Sequence, residues 1–244
     1  MQSSNPIFNQ DSLNNVQALE SAPMTVGGAI NKTFILLLLA AVAAAAVWYQ
    51  AILGYADKVS LIMGIGMVVG LITGFVIIFK QNTAPYLAPV YAFAEGAFIG
   101  GISAFMEAQF PGIVIQAIAL SMIAVFSMLL LFKTRIIRAT EKFRSTLIVA
   151  TFSVMVLYLV NLIGSFFHFS IPFINGGGMI GIAFSVIVVL IAAFNLIIDF
   201  DFIEQGAQNM FPKHYEWYGA FGLMVTLVWM YIEILRLLSK LRDN

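Results

Sequence analysis

Residues 194–219 read FNLIIDFDFIEQGAQNMFPKHYEWYG and join two long apolar stretches. The segment carries the acids Asp199, Asp201, Glu204 and Glu216, together with His214. Carboxylates at the mouth of an apolar helix are costly to desolvate, so each calls for a partner, water or a proton. Acid at a helix C-terminus also opposes the helix dipole, which strengthens the expectation of a partner.

Working outward, the apolar stretches on either side recur along the whole chain. Of its 244 residues, 61% are hydrophobic and 10% charged, where a soluble domain carries about 25% charged residues. Mean hydropathy is +0.96. Seven stretches reach the roughly 20 apolar residues that cross the hydrocarbon. They are Ala29 to Leu53, Ser60 to Phe79, Tyr86 to Met106, Gly112 to Phe132, Thr146 to Phe167, Gly178 to Ile198 and Tyr218 to Leu238. The connections are too short for a separate soluble domain. The fold expected is an all-α polytopic membrane protein, with a mobile polar tail over 1–28 and a seven-helix transmembrane domain over 29–244. No basic residue precedes the first apolar run, the wrong order for a secretory signal.

Lys and Arg set the orientation. Lys32, Lys80, Lys133, Arg135, Arg138, Lys142, Arg144 and Lys213 fall on one side, and Lys58, Arg236, Lys240 and Arg242 on the other. The N-terminus is therefore expected in the cytoplasm, and seven spans put the basic C-terminus outside. Formal net charge is zero, so bulk charge gives no ground for a nucleic-acid partner. Cysteine is absent, which excludes disulfides and thiolate metal sites.

Small residues mark packing seams. Gly66, Gly70 and Gly74 recur at spacing four in the second span, and Gly96 and Gly100 in the third. In the seventh, Gly219, Gly222, Thr226, Met230 and Glu233 share one face at 100° per residue. Trp48, Tyr49, Tyr86, Trp217 and Tyr218 lie near span ends as interfacial anchors.

Asp199 and Asp201 are two residues apart and point to different helical faces, Asp199 with Asn195 and Asp201 with Glu204. Two readings stand: a cation or proton site at the end of the sixth helix, or a solvated acidic loop beyond it. Glu95 lies inside the third span, on the order of 13 Å along its helix, and needs a polar interior or a proton. Glu233 has Arg236 three residues on, within pairing reach. Glu107 and Asp57 sit at span ends, where solvent is expected.

Enzyme classes find little support. His168 and His214 lie in loops on opposite sides and cannot share a zinc ion. No span contains a GxGD aspartate, no nucleophile elbow occurs, and every lysine lies at a span end or in a loop, so a Schiff base inside the seventh helix is excluded.

The block APVYAFAEGAFIGGISAF at 88–105 and the block EWYGAFGLMVTLVWMYIEILRLL at 216–238 resemble the Bax inhibitor family, nearest to its bacterial, YccA-like branch. The likeness extends from Ala29 to Leu238. It implies six helices around a central seventh, residence in a bacterial inner membrane, and a pH-sensitive calcium leak governed by two aspartates. One aspartate would end helix six and falls on Asp199 or Asp201. The other would lie in helix seven, where this chain has Thr226. Either Glu95, Glu216 or Glu233 then takes its role, or the dyad is lost.

On that expectation calcium is the transported ion, touched by Asp199, Asp201 and Glu95, and no cofactor is needed. Two nearby carboxylates in a poorly solvated site do not readily ionise together. Protonated, they hydrogen-bond; deprotonated, they repel and admit a cation. A second reading is a non-conducting regulator of partner membrane proteins, in protein quality control or the stress response, acting through the tail and the basic fourth loop. A third, a proton-coupled transporter, would use the helix break at 175–178.

Overall fold

The computed structural model describes residues 23–167, 171–176 and 178–243, so tail residues 1–22 and His168 lie outside the described residues. Seven long helices follow one another: α1 (Val26–Ile52), α2 (Ala56–Phe79), α3 (Ala84–Gln109), α4 (Ile113–Lys133), α5 (Glu141–Phe166), α6 (Met179–Gln208) and α7 (Tyr215–Arg242). Each is long and apolar enough to cross a membrane. A 3₁₀ turn at Gln81–Thr83 leads into α3, and a one-turn helix at Pro172–Asn175 precedes α6.

The helix ends follow local chemistry. Thr25 caps α1 by accepting from Gly28 N at 2.9 Å, and Thr140 caps α5 by accepting from Phe143 N at 3.3 Å. Gly54 and Gly112 take φ of 80° and 81°, the left-handed conformation that lets the chain reverse between α1 and α2 and between α3 and α4. Glu107 caps α4 rather than standing in solvent: its carboxylate accepts from Gly112 N at 2.6 Å and Val114 N at 3.1 Å. A carboxylate on the free N–H groups of a helix start is favoured by the dipole as well as by the hydrogen bonds.

The main difference from the expected spans lies at the acidic junction. Helix α6 does not stop near Ile198 but continues through Asp199, Asp201 and Glu204 to Gln208. Helix α5 starts at Glu141, so the basic loop between α4 and α5 is short. Ion pairs between that loop, the first turn of α5 and the end of α6 supply the partners that an acidic C-terminal turn needs.

Helix α7 is the shared wall of two apolar clusters. One joins Ala192, Leu196 and Ile203 of α6 and Ile113 and Ala117 of α4 to Leu223, Met230 and Ile234 of α7. The other joins Leu36 and Ala40 of α1, Ile77 of α2 and Ala88, Tyr91 and Ala92 of α3 to Phe221, Met224 and Val228 of α7. Tyr158 of α5 reaches Glu233, so α1, α3, α4, α5 and α6 all meet the seventh helix, and α2 joins through the cluster that holds Ile77 and Phe221. Outward faces of α2, α4 and α5 expose Phe75, Ile123, Phe126 and Phe152, as a lipid-facing surface does.

The glycine seams lie at the helix crossings. Gly96 meets the backbone of Ala40, and a Cβ built on Gly100 would stand 2.7 Å from Ala44 Cα, so α1 and α3 touch backbone to backbone. On α2, the corresponding distances are 2.6 Å from Gly66 to Ala94 O, 2.8 Å from Gly70 to Glu95 Oε2 and 3.5 Å from Gly74 to the Tyr91 ring. On α7, a Cβ built on Gly219 would stand 2.9 Å from Ile203 Cγ1, and one on Gly222 would stand 3.8 Å from Asp199 Oδ1. Gly64, by contrast, faces open space. Gly100→Val should lower stability in detergent by about 1–3 kcal/mol through overpacking, read as a lower midpoint of thermal or denaturant unfolding. Gly64→Ala should leave that midpoint unchanged or slightly raised.

Candidate functional site

At the end of the bundle where α6 stops and α7 starts, four carboxylates converge from the junction segment. Three have cationic partners. Glu204 pairs with Arg135, just beyond α4, and also accepts from Gln208. Asp201 accepts from Arg144 of α5 at 2.6 Å and from Gln205 at 2.7 Å. Glu216, in the first turn of α7, pairs with Lys32 of α1 and accepts from Thr25 N at 2.9 Å and Thr25 Oγ1 at 3.0 Å. Its side chain is 1% exposed.

Asp199 is the exception. It faces α7, against Gly222 and the Thr226 side chain, while Asp201 turns to α5, as their two-residue spacing requires. The buried Asp199 Oδ2 meets no hydrogen-bond donor. Among the described residues, the only other buried side-chain atom in that condition is Arg144 Nε, in the same junction. Native interiors leave few such atoms unpaired. Thr226 is also the position where the family resemblance places a second aspartate, so the expected pair of positions is adjacent in space although one member is a hydroxyl.

The junction is closed towards the helix ends by apolar and aromatic groups. Met24 is buried against Gly206 and Phe211, and its N–H donates to Phe211 O at 2.8 Å. Pro23 forms an isolated bridge with Pro212. Phe202, Phe211, Tyr215 and Tyr218 pack ring on ring, and Tyr215 O–H donates to Gln81 at 2.6 Å. Tyr218 is thus a half-buried ring packed on the core, and Trp217 carries Lys32 over its face at 5.5 Å. Asn195 donates to Thr151 of α5 at 2.9 Å and so does not share the Asp199 environment.

The remaining sequence-selected acids stand apart from this cluster. Glu95 lies half-buried over Gly70 where α2 crosses α3. Glu233 is 1% exposed and accepts from Tyr158 O–H at 2.9 Å and from Arg236 at 3.0 Å, pairing at the spacing of three that the sequence offers. Arg236 also stacks over Tyr158. Nearby, buried Lys240 donates to Gly181 O at 3.1 Å and Ser185 Oγ at 2.9 Å. Among the described residues no three acids or histidines stand close enough to share a metal ion. Asp199, Asp201 and Glu95 are therefore three separate environments, not a ready-made calcium cage, which would need about six to eight oxygens.

Sequence reasoning missed the part played by residues 23–25. Its signal was Thr25, an N-cap residue directly before the apolar run. It also read Arg135 and Arg144 for orientation alone, because pairing across 69 and 57 residues, respectively, leaves no local mark.

Seven apolar helices with charge gathered at their ends, and paired there, define a polytopic helical membrane protein. The family model described as Bax inhibitor 1 like matches residues 5–243, and the chain belongs to that family. No match was found among curated proteins or among solved structures.

Glu216→Ala should strand the partly exposed Lys32 and free Thr25. The expected loss of stability is near the lower end of about 3–5 kcal/mol, measured by denaturant unfolding in detergent. Gly28→Ala should act in the same direction, because its Cβ would collide with the Glu216 carboxyl.

Proposed function

We propose that this protein is a pH-sensitive leak for calcium or another small cation, gated where α6 meets α7. The observation that supports it is the buried, unpartnered Oδ2 of Asp199 beside Thr226, in a junction whose other acids are neutralised by Lys32, Arg135 and Arg144. The Thr226 hydroxyl bonds Asp199 and ties α6 to α7, and a protonated Asp199 is neutral and calls for no cation. An ionised Asp199 keeps Thr226 O–H as a donor but has no cation of its own, so it draws water and a passing cation into the junction. Asp199 and Thr226 supply too few oxygens for a resident calcium, so the ion keeps part of its water shell in transit.

In this reading Asp201 with Arg144 latches α5 to the gate. Glu95 is a second carboxylate for the ion on the α2–α3 side. Glu216 and Glu233, both paired, hold helix ends in place. The orientation follows the excess of Lys and Arg at the junction end, which puts that end and the N-terminus in the cytoplasm. Residence in a bacterial inner membrane and membership of the YccA-like branch belong to the same proposal.

A second reading, a regulator of partner membrane proteins, draws on Lys133, Arg138 and Lys142, which stand exposed beside the paired arginines and offer a basic ridge to an acidic partner. Deleting residues 1–22 leaves the Thr25–Glu216 contact in place. A leak should continue in that variant, and a tail-dependent regulator should lose its effect.

Calcium flux into liposomes, followed across roughly pH 6 to 8, tests the leak. Flux should rise with pH in the parent chain and become low and flat in Asp199→Asn. Arg144→Ala, which frees the latch, should raise flux at the acid end. Thr226→Asp should steepen the pH response by restoring a second titrating group. Flux that is unchanged in Asp199→Asn and in Glu95→Gln would sink the assignment.

A further inference from the structure

A groove of about 610 Å³ lies between α1 and α4, with α3 and α7 as its floor. It forms because α1 is drawn tightly onto α3 at the Ala40–Gly96 and Ala44–Gly100 crossings, while α4 packs on α6 and α7 instead. Ala41 and Ala45 form one rim and Ile118 and Met122 the other. Deeper down lie Met224, Val228 and Tyr231 of α7.

We propose that this groove seats one acyl chain of a membrane phospholipid. Its walls come from the spans themselves, so it lies at hydrocarbon depth. Its mouth is continuous with the lipid-facing surface: Tyr49 and Ile52 on one side and Ile118 and Met122 on the other are all exposed. The hydroxyls deep in its lining are already satisfied, and that of Tyr49 stands at the exposed mouth. Ser103 and Tyr231 bond each other at 2.7 Å, and Ser121 donates to Ala117 O at 2.7 Å. Water therefore has little to hold it there, and an apolar cavity without polar partners stays dry. An empty groove would forfeit the dispersion contacts of its whole lining.

Size decides between hydrocarbon and protein. A spanning helix about 30 Å long and 10 Å wide displaces on the order of 2,000 Å³, several times the groove. A single acyl chain is slim enough to enter. At 100° per residue, Met224, Val228 and Tyr231 lie on the side of α7 opposite Gly222, Thr226 and Glu233. The seated chain backs α7 where the helix turns away from α6.

The test is the phospholipid retained by the purified full chain after extensive washing in mild detergent, counted by native mass spectrometry. One phospholipid per chain is expected for the parent. Ala41→Phe and Ala45→Phe, at exposed rim positions, should fill the groove and retain none. Ala46→Phe, exposed on the same helix but outside the groove, should retain one. In parallel, added phospholipid should raise the melting temperature of the parent and of Ala46→Phe, but not of Ala45→Phe. A parent that retains no phospholipid, or an Ala45→Phe chain that retains as much as the parent, overturns the proposal. So does a retained free fatty acid in place of phospholipid. A two-chain particle that Ala45→Phe splits into single chains would assign the groove to a second copy and equally overturn it.

Discussion

Neutralising charge at the rim of the hydrocarbon is the constraint on which the rest of this structure depends. Four acids occupy the α6–α7 junction, where an unpaired carboxylate is heavily penalised. The chain answers with cations from three different helix ends: Lys32 at the start of α1, Arg135 after α4 and Arg144 at the start of α5. Each pair therefore does two things at once. It removes a desolvation penalty, and it fixes the end of one helix against another far away in sequence. The helical course of α6 through its acidic turn follows from the same pairing.

Helix α7 converts that end-fixing into an architecture. Its small and polar stripe lies along α6 and α5, where Gly219 admits Ile203, Gly222 and Thr226 face Asp199, and Glu233 and Lys240 take partners from α5 and α6. Its opposite face is apolar and packs on α1 and α3, leaving the floor of the groove beside α4. Between helices in a bilayer, burial of apolar area gives no net drive, so close backbone approach and satisfied polar contacts carry the association. Both are concentrated on α7 and on the α1–α3 crossing.

Much of this was legible in the residues. The seven apolar runs and the spacing-four glycines are periodic signals, and periodicity survives without knowledge of neighbours. The Glu233–Arg236 pair was readable because it lies within one helical turn. Other features were hidden for a common reason. Glu107 lay at a span end like any solvated acid, and only the approach of Gly112 and Val114 makes it a cap. Thr25 belonged to a polar stretch, and only the return of α7 gives it Glu216. Arg144 was one of several basic residues in a loop until α6 placed Asp201 against it.

The sequence by itself determined the membrane class, the number of spans, the family and the location of the acidic junction. These depend on composition, length and pattern along one strand of chain, where bilayer thickness imposes a fixed ruler. Only the tertiary structure decided which acids are neutralised and which is left. Charge pairing depends on distance and burial, and Asp199 and Asp201 are nearly equivalent in sequence. In space one faces Arg144 of α5, and the other faces Thr226 of α7 with an oxygen unpaired.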